Sequence, residues 1–294
     1  MILCQDCGWQ ADCRRCDSTL TWHRSEGSLR CHHCGYQQRV PPRCPECGSS
    51  AIHEAGCGTE KITELLEQSQ QAPVIRIDRD ATRRKGSLDA HLATIQQGKP
   101  AVMVGTQMLA KGHHFPNLTL VVILEMDAGF LSADFRGPEQ AAQLMLQVAG
   151  RSGREGKGRV LLQTRHPDHP LLQLAASGDY AALASDLLEE RKMADLPPFG
   201  HLALFRCEAM SMGKAMEFLQ QLAGIPLPPD VHLLGPVPAP MERRAGRYRT
   251  QMLLQCAQRA PLHQAISVLL EQARTLPAGR QCRWHLDVDP IDML

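Results

Sequence analysis

Eight cysteines near the amino terminus form four Cys-x-x-Cys pairs: Cys4/Cys7, Cys13/Cys16, Cys31/Cys34 and Cys44/Cys47. Two intervening residues let one tight turn aim both thiolates at a single cation. Two such knuckles complete a tetrahedral site, with bonds of about 2.3 Å when the metal is zinc. The knuckles are 5, 14 and 9 residues apart, so they can be paired in three ways. Between Cys16 and Cys31 the chain reads Thr19-Leu20-Thr21-Trp22-His23, Ser25-Glu26-Gly27, Ser28-Leu29-Arg30. Two short alternating stretches around a glycine turn predict a hairpin, and a hairpin there brings the second and third knuckles together. The expected arrangement is therefore nested, with Cys13, Cys16, Cys31 and Cys34 inside and Cys4, Cys7, Cys44 and Cys47 outside. With sulfur at all four positions, neither site keeps an open position for a catalytic water, so both read as structural zinc. Tetrathiolate iron is the alternative metal, and His32 and His33 are the alternative ligands. Arg14, Arg15, Arg30, Arg39 and Arg43 lie close to the knuckles, where they offset the anionic sites or touch nucleic acid.

The remaining composition narrows the setting. Nine of the twelve cysteines lie in the first 57 residues of this 294-residue chain. That crowding, together with an amino terminus that lacks a basic stretch followed by an apolar one, favours metal in a reducing cytoplasm over a secreted disulfide framework. Cys57, Cys207, Cys256 and Cys282 stand alone and read as small buried hydrophobes. No apolar run reaches membrane-spanning length, and no membrane partner is expected. The formal charge is only +1, and zinc-bound thiolates would turn it negative. Any nucleic-acid contact must then come from local patches.

Three segments position these groups. Residues 1–56 form the cysteine-rich module. In residues 57–195 strand-like and helix-like runs alternate: Val74–Ile77, a helix from Ser87 to Gln97, Ala101–Val104, Leu118–Leu124, a helix over 137–148, and Arg159–Gln163. Such alternation implies a parallel sheet flanked by helices. Strand Ala101–Val104 runs into Gly105-Thr106-Gln107-Met108-Leu109-Ala110-Lys111-Gly112, a turn at the carboxyl edge of the sheet, where ligands bind. Glycines there free backbone N–H groups for a phosphate, and Thr106 and Lys111 add donors. A second turn, Gln147-Val148-Ala149-Gly150-Arg151-Ser152-Gly153-Arg154, places two arginines on one side of a helical turn, and guanidinium groups suit phosphate oxygens.

Residues 196–294 begin at the rigid Leu196-Pro197-Pro198-Phe199-Gly200 linker. The pattern then predicts strand, helix, two strands, helix and strand, the β-α-β-β-α-β order of a ferredoxin-like domain. The second strand is expected near Val231–Leu234. Glu242-Arg243-Arg244-Ala245-Gly246-Arg247-Tyr248-Arg249 reads as a flexible basic loop, suited to phosphate contact with base stacking.

The two glycine-bounded turns, the block Ser132-Ala133-Asp134-Phe135-Arg136 between them and the cysteine block upstream carry a resemblance. The turns are similar to motifs V and VI of superfamily 2 helicases. The whole chain resembles the C-terminal half of the primosomal protein N-prime (PriA) family of replication-restart helicases. The resemblance implies a RecA-like second motor lobe with a two-zinc insertion and a fork-binding C-terminal domain. It implies that Arg151 and Arg154 reach ATP across a cleft between two lobes, one as an arginine finger, with Gly150 beside them and Gln147 sensing the nucleotide. Gly105, Thr106 and Lys111 would hold a translocated strand, and Arg247, Tyr248 and Arg249 would contact branched DNA. Implied partners are branched and single-stranded DNA, primosome proteins and single-stranded-DNA-binding protein, with a monomeric habit. The sequence contains neither Gly-x-x-x-x-Gly-Lys-[Ser/Thr] nor an Asp-Glu-x-His box. ATP with Mg²⁺ is therefore expected only alongside a first lobe, and the expectation is a fragment inactive as an ATPase alone. The alternative is a stand-alone zinc module that binds DNA or protein without a motor.

Overall fold

A computed structural model describes residues 1–23, 26–54, 58–78, 93, 95, 98–106, 115, 117–132, 134–150 and 158–293. The chain divides into two compact units, residues 1–56 with 189–294 and residues 57–188. The architecture is mixed α and β.

The cysteine-rich region carries five three-residue strands: β1 (Ile2–Cys4), β2 (Thr21–His23), β3 (Ser28–Arg30), β4 (Gln37–Arg39) and β5 (Ile52–Glu54). The hairpin expected between the second and third knuckles is β2–β3, with Trp22 opposite Leu29. The sheet extends one strand further, because β4 pairs with β3. β1 closes antiparallel on β5, placing Cys4 opposite Ile52. Strands this short are not stable alone. They enclose a small core of Ile2, Ala11, Cys13, Cys16, Leu20, Leu29 and Cys31, with Trp9, Trp22 and Tyr36 packed against it. The alternation predicted for β3 places Leu29 inside while Ser28 and Arg30 keep partial exposure.

In the second unit, α1 (Thr59–Ser69) precedes β6 (Val74–Ile77) and β7 (Val102–Gly105). The two strands run parallel, Val74 opposite Val102. Arg76 of β6 bridges Glu60 of α1 and Asp78 at 3.4 and 3.1 Å. β8 (Leu120–Ile123), α2 (Asp127–Phe130), α3 (Gly137–Ala149), β9 (Arg159–Leu162) and α4 (Pro170–Ser177) follow, then α5 (Tyr180–Met193). β8 and β9 are also parallel, as βα alternation requires. Phe130, Ala142, Met145, Leu172 and Leu183 form the core beneath them. Pro138 lies in the first turn of α3, where a missing N–H costs nothing. The helix expected from Ser87 to Gln97 falls almost wholly outside the described residues. Among the described residues no helix is long and apolar enough to cross a membrane.

The C-terminal elements are β10 (His201–Ala209), α6 (Met212–Ala223), β11 (His232–Arg244), β12 (Arg247–Cys256), α7 (Arg259–Thr275) and β13 (Arg283–Val288). The sheet order is β11-β12-β10-β13, with every neighbour antiparallel. Ser211 caps α6 by accepting from the Lys214 amide, a common way to satisfy a first-turn donor. Phe205, Phe218 and Trp284 pack as an aromatic trio at the centre, with ring centroids 5.5–6.2 Å apart. Cys207 and Cys256 are buried in the same core, and burial pushes the Cys207 thiol up.

The segment read as a flexible loop, Glu242–Arg249, consists of two strand ends joined by Ala245 and Gly246. β11 does not stop near Leu234 but runs through Pro236, Pro238 and Pro240 to Arg244. It is an edge strand, where a missing N–H need not break a ladder, and register shifts after Leu234 and Pro238 absorb the irregularity. Ala245 and Gly246 both have positive φ, 51° and 83°, the backbone of a two-residue hairpin turn.

Candidate metal centre

Cys4, Cys7, Cys44 and Cys47 come together in one group and Cys13, Cys16, Cys31 and Cys34 in another. Within each, all four sulfurs lie within 4.8 Å of one another. The Cys4–Cys47, Cys7–Cys44 and Cys13–Cys34 sulfur separations are 3.6, 3.5 and 3.7 Å. A tetrahedron with metal–sulfur bonds of about 2.3 Å has edges of roughly 3.8 Å, so both groups fit zinc by donor chemistry and by size. Neither His32 nor His33 belongs to either group, and both are exposed.

Local backbone bonds shape the knuckles. In the first, third and fourth, the leading cysteine donates its N–H to a carbonyl five residues on: Trp9, Tyr36 and Ser49 at 2.7, 2.8 and 2.8 Å. The glycine after the second cysteine, Gly8, Gly35 or Gly48, returns its N–H to the leading cysteine's carbonyl at 2.9 Å in each case. These glycines have φ of 77°, 73° and 74°, which other residues adopt at a cost. The antiparallel β1–β5 pair draws the outer knuckles together, helped by the Ser49 hydroxyl donating to the Asp6 carboxylate.

Crowded thiols cannot all ionise without a cation. In the inner group, burial raises Cys16, and the Cys34 and Cys31 thiols reinforce it against the Ala245 amide, pushing it up to about 12. Burial also acts on Cys31. There the Ser18 hydroxyl and the Cys34 and His33 amides prevail, holding it at about 6. In the outer group, the Trp9 amide lowers Cys7 but desolvation and three neighbouring thiols carry it up to about 12. Cys44 is desolvated yet held down to about 7 by the Cys47 and Glu46 amides and the Cys7 thiol. A divalent ion resolves this mixture by taking all four as thiolates.

Beside the metal groups, a groove of about 660 Å³ has Trp9, Arg14, Tyr36 and Arg39 in its lining, together with Asp12 and Glu46. Aromatic faces and guanidinium groups suit a single strand, while the carboxylates oppose phosphate.

The remaining predicted residues are placed as follows. Gly105 ends β7, and exposed Thr106 follows it at the carboxyl end of the strand. Gln147 is exposed on the last turn of α3, and Gly150 caps that helix. Lys111, Arg151, Arg154 and Cys57 lie outside the described residues. Asp134, within the 132–136 block, is buried, and its carboxylate accepts from the Arg136 amide. On β12, Arg247 stands opposite Arg244, and Tyr248 lies between Arg243 and Ala209. Arg249 is engaged internally, with Glu208 at 3.4 Å and the Met241 carbonyl at 3.4 Å. Burial lowers its pKa, with Glu208 opposing.

Comparison with known proteins finds relatives along the chain. Residues 13–39 match the family model for the PriA DNA helicase Cys-rich region, residues 54–156 the helicase conserved C-terminal domain, and residues 192–291 the primosomal protein N C-terminal domain. Curated relatives named replication restart protein PriA align along the chain. The Haemophilus influenzae protein is 45% identical over 298 residues, covering 100% of this chain and 40% of the relative. The Bacillus subtilis protein is 35% identical, with 100% and 37% covered, and the Treponema pallidum protein 37% identical, with 99% and 44% covered. The chain thus spans about two fifths of the length of the relatives it matches.

Proposed function

We propose that this chain, which belongs to the PriA family of replication restart proteins, forms the second motor lobe, zinc module and C-terminal domain of an ATP-driven 3′-to-5′ DNA helicase. The whole protein would recognise stalled or branched forks and initiate primosome assembly in the cytoplasm, in contact with primosome proteins and single-stranded-DNA-binding protein. The observation that carries the proposal is the succession, in one chain, of a cysteine-rich region, a helicase C-terminal domain and a primosomal C-terminal domain. None of the three alone would specify this activity.

On this reading the eight cysteines hold two structural zinc ions, which supply fold and no chemistry. The segment 57–195 is a RecA-like lobe. Arg151 and Arg154 stabilise charge on the transferred phosphoryl, an effect of about 10³- to 10⁵-fold in nucleotide hydrolases. Gln147 and Gly150, at the end of α3, belong to the same motif, and Gly105, Thr106 and Lys111 grip a strand. ATP and Mg²⁺ need the phosphate loop and acidic box of a first lobe. The strand order β11-β12-β10-β13 supports a ferredoxin-like C-terminal domain. Arg247 and Tyr248 are the proposed DNA contacts of its hairpin. Arg249, taken up by Glu208, acts chiefly by holding that hairpin's shape. The Trp9–Tyr36 groove supports a further strand contact by the module.

The test is complementation. Mixed with a separately expressed first lobe carrying the phosphate loop, the chain is expected to restore DNA-stimulated ATP hydrolysis, and Arg154→Ala to abolish the gain. Zinc-dependent DNA binding with no rescued hydrolysis would favour the stand-alone module instead.

A further inference from the structure

The second knuckle departs from the other three. Cys13 donates to the Ser18 carbonyl at 2.8 Å, as the pattern requires. The next position in the pattern, glycine in the other knuckles, is Asp17. Its N–H does not return to the leading cysteine. It donates instead to the Arg243 carbonyl at 2.9 Å, on the far side of the sequence. The β11–β12 turn completes the contact. Gly246 donates to the Arg15 carbonyl at 2.7 Å, the Arg15 guanidinium to the Ala245 carbonyl at 3.5 Å, and the Ala245 amide to the Cys16 sulfur at 3.1 Å. The Asp17 carboxylate faces the Arg243 guanidinium at 3.5 Å. Ala245 holds a left-handed φ of 51°, a conformation disfavoured by about 1 kcal/mol or more outside glycine. This strained amide is the one aimed at a metal-binding sulfur.

We infer that the β11–β12 turn is the outer shell of the inner metal site, so that metal and hairpin hold each other in place. An N–H aimed at a metal-bound thiolate is a charge-assisted hydrogen bond, and it is stronger than the same bond to a neutral thiol. Groups of this kind orient ligands and raise metal affinity. By linkage, whatever the turn adds to metal affinity the metal returns to docking of the turn. The outer site, whose knuckles close on themselves, takes no part. The inference rests on zinc occupying both cysteine groups but not on the motor reading.

The experiment uses the whole zinc-loaded chain without DNA or nucleotide. A chelator is added, cysteines are pulse-alkylated, and peptide masses report which four become reactive at each time. Arg243→Glu sets like charges against Asp17, and Asp17→Gly lets the second knuckle close as its siblings do. Each should speed release from Cys13, Cys16, Cys31 and Cys34 by about 10- to 100-fold, the range for outer-shell changes. Release from Cys4, Cys7, Cys44 and Cys47 should stay unchanged. Asp17→Lys combined with Arg243→Glu restores opposite charges and should recover much of the loss. Hydrogen exchange serves as the second readout: the Ala245 amide should lose protection in the variants and on zinc removal while β10 amides keep theirs. Equal release from both groups in the variants would overturn the inference. So would an Ala245 amide indifferent to zinc, or zinc missing from the inner group, which would also remove the zinc reading.

Discussion

The two tetrathiolate groups are built from the same knuckle and live differently. The outer group sits where the two ends of the module meet, with Cys7 and Cys47 exposed, and its glycines satisfy their backbone bonds locally. The inner group is part of the module's hydrophobic core, three of its cysteines packed with Ile2, Leu20 and Leu29. One of its knuckles has given up the local bond for a contact with the C-terminal domain. The same four ligands thus close a chain in one place and join two parts of a protein in the other.

The largest expected difference comes from removing a ligand. Structural zinc supplies on the order of 10 kcal/mol or more of folding free energy to small modules. Cys16→Ser should therefore unfold residues 13–39, measured as lost amide dispersion with about one zinc remaining. Cys47→Ser should loosen only the β1–β5 closure. A ribbon that melts equally in both variants would break the comparison. Next in size, Leu29→Ala removes a wholly buried side chain beside the inner group and should cost about 2–5 kcal/mol. Denaturant unfolding of the module would measure it, with faster chelation at the inner group only. Smallest is Gly48→Ala, which meets no atom within 4 Å but forces alanine to φ 74°. About 1–2 kcal/mol should be lost, expressed at the outer group. Asp17→Gly, at the matching place in the inner group, should carry no such backbone penalty.

Much of the metal chemistry was legible because Cys-x-x-Cys spacing is itself geometry, and because a glycine turn between alternating stretches dictates a hairpin. The β1–β5 pair was not, since it joins positions about fifty residues apart with no local signal. β11 was hidden by its prolines, which read as loop unless the strand is known to lie at an edge. The arginines and tyrosine of 243–249 invited a flexible-loop reading. In the structure Arg243 and Arg249 face Asp17 and Glu208, partners no linear pattern identifies. The docking of the turn onto the second knuckle runs mostly through backbone groups, which leave little trace in sequence. The one visible trace was Asp17, standing where three sibling knuckles have glycine.

That both cysteine groups hold structural zinc is tested most directly by zinc K-edge X-ray absorption on the intact chain, combined with elemental analysis. Two zinc ions per chain are expected, each with four sulfur neighbours at about 2.3 Å and no nitrogen shell. One zinc per chain, iron in its place, or imidazole scattering at about 2.0–2.1 Å would contradict it.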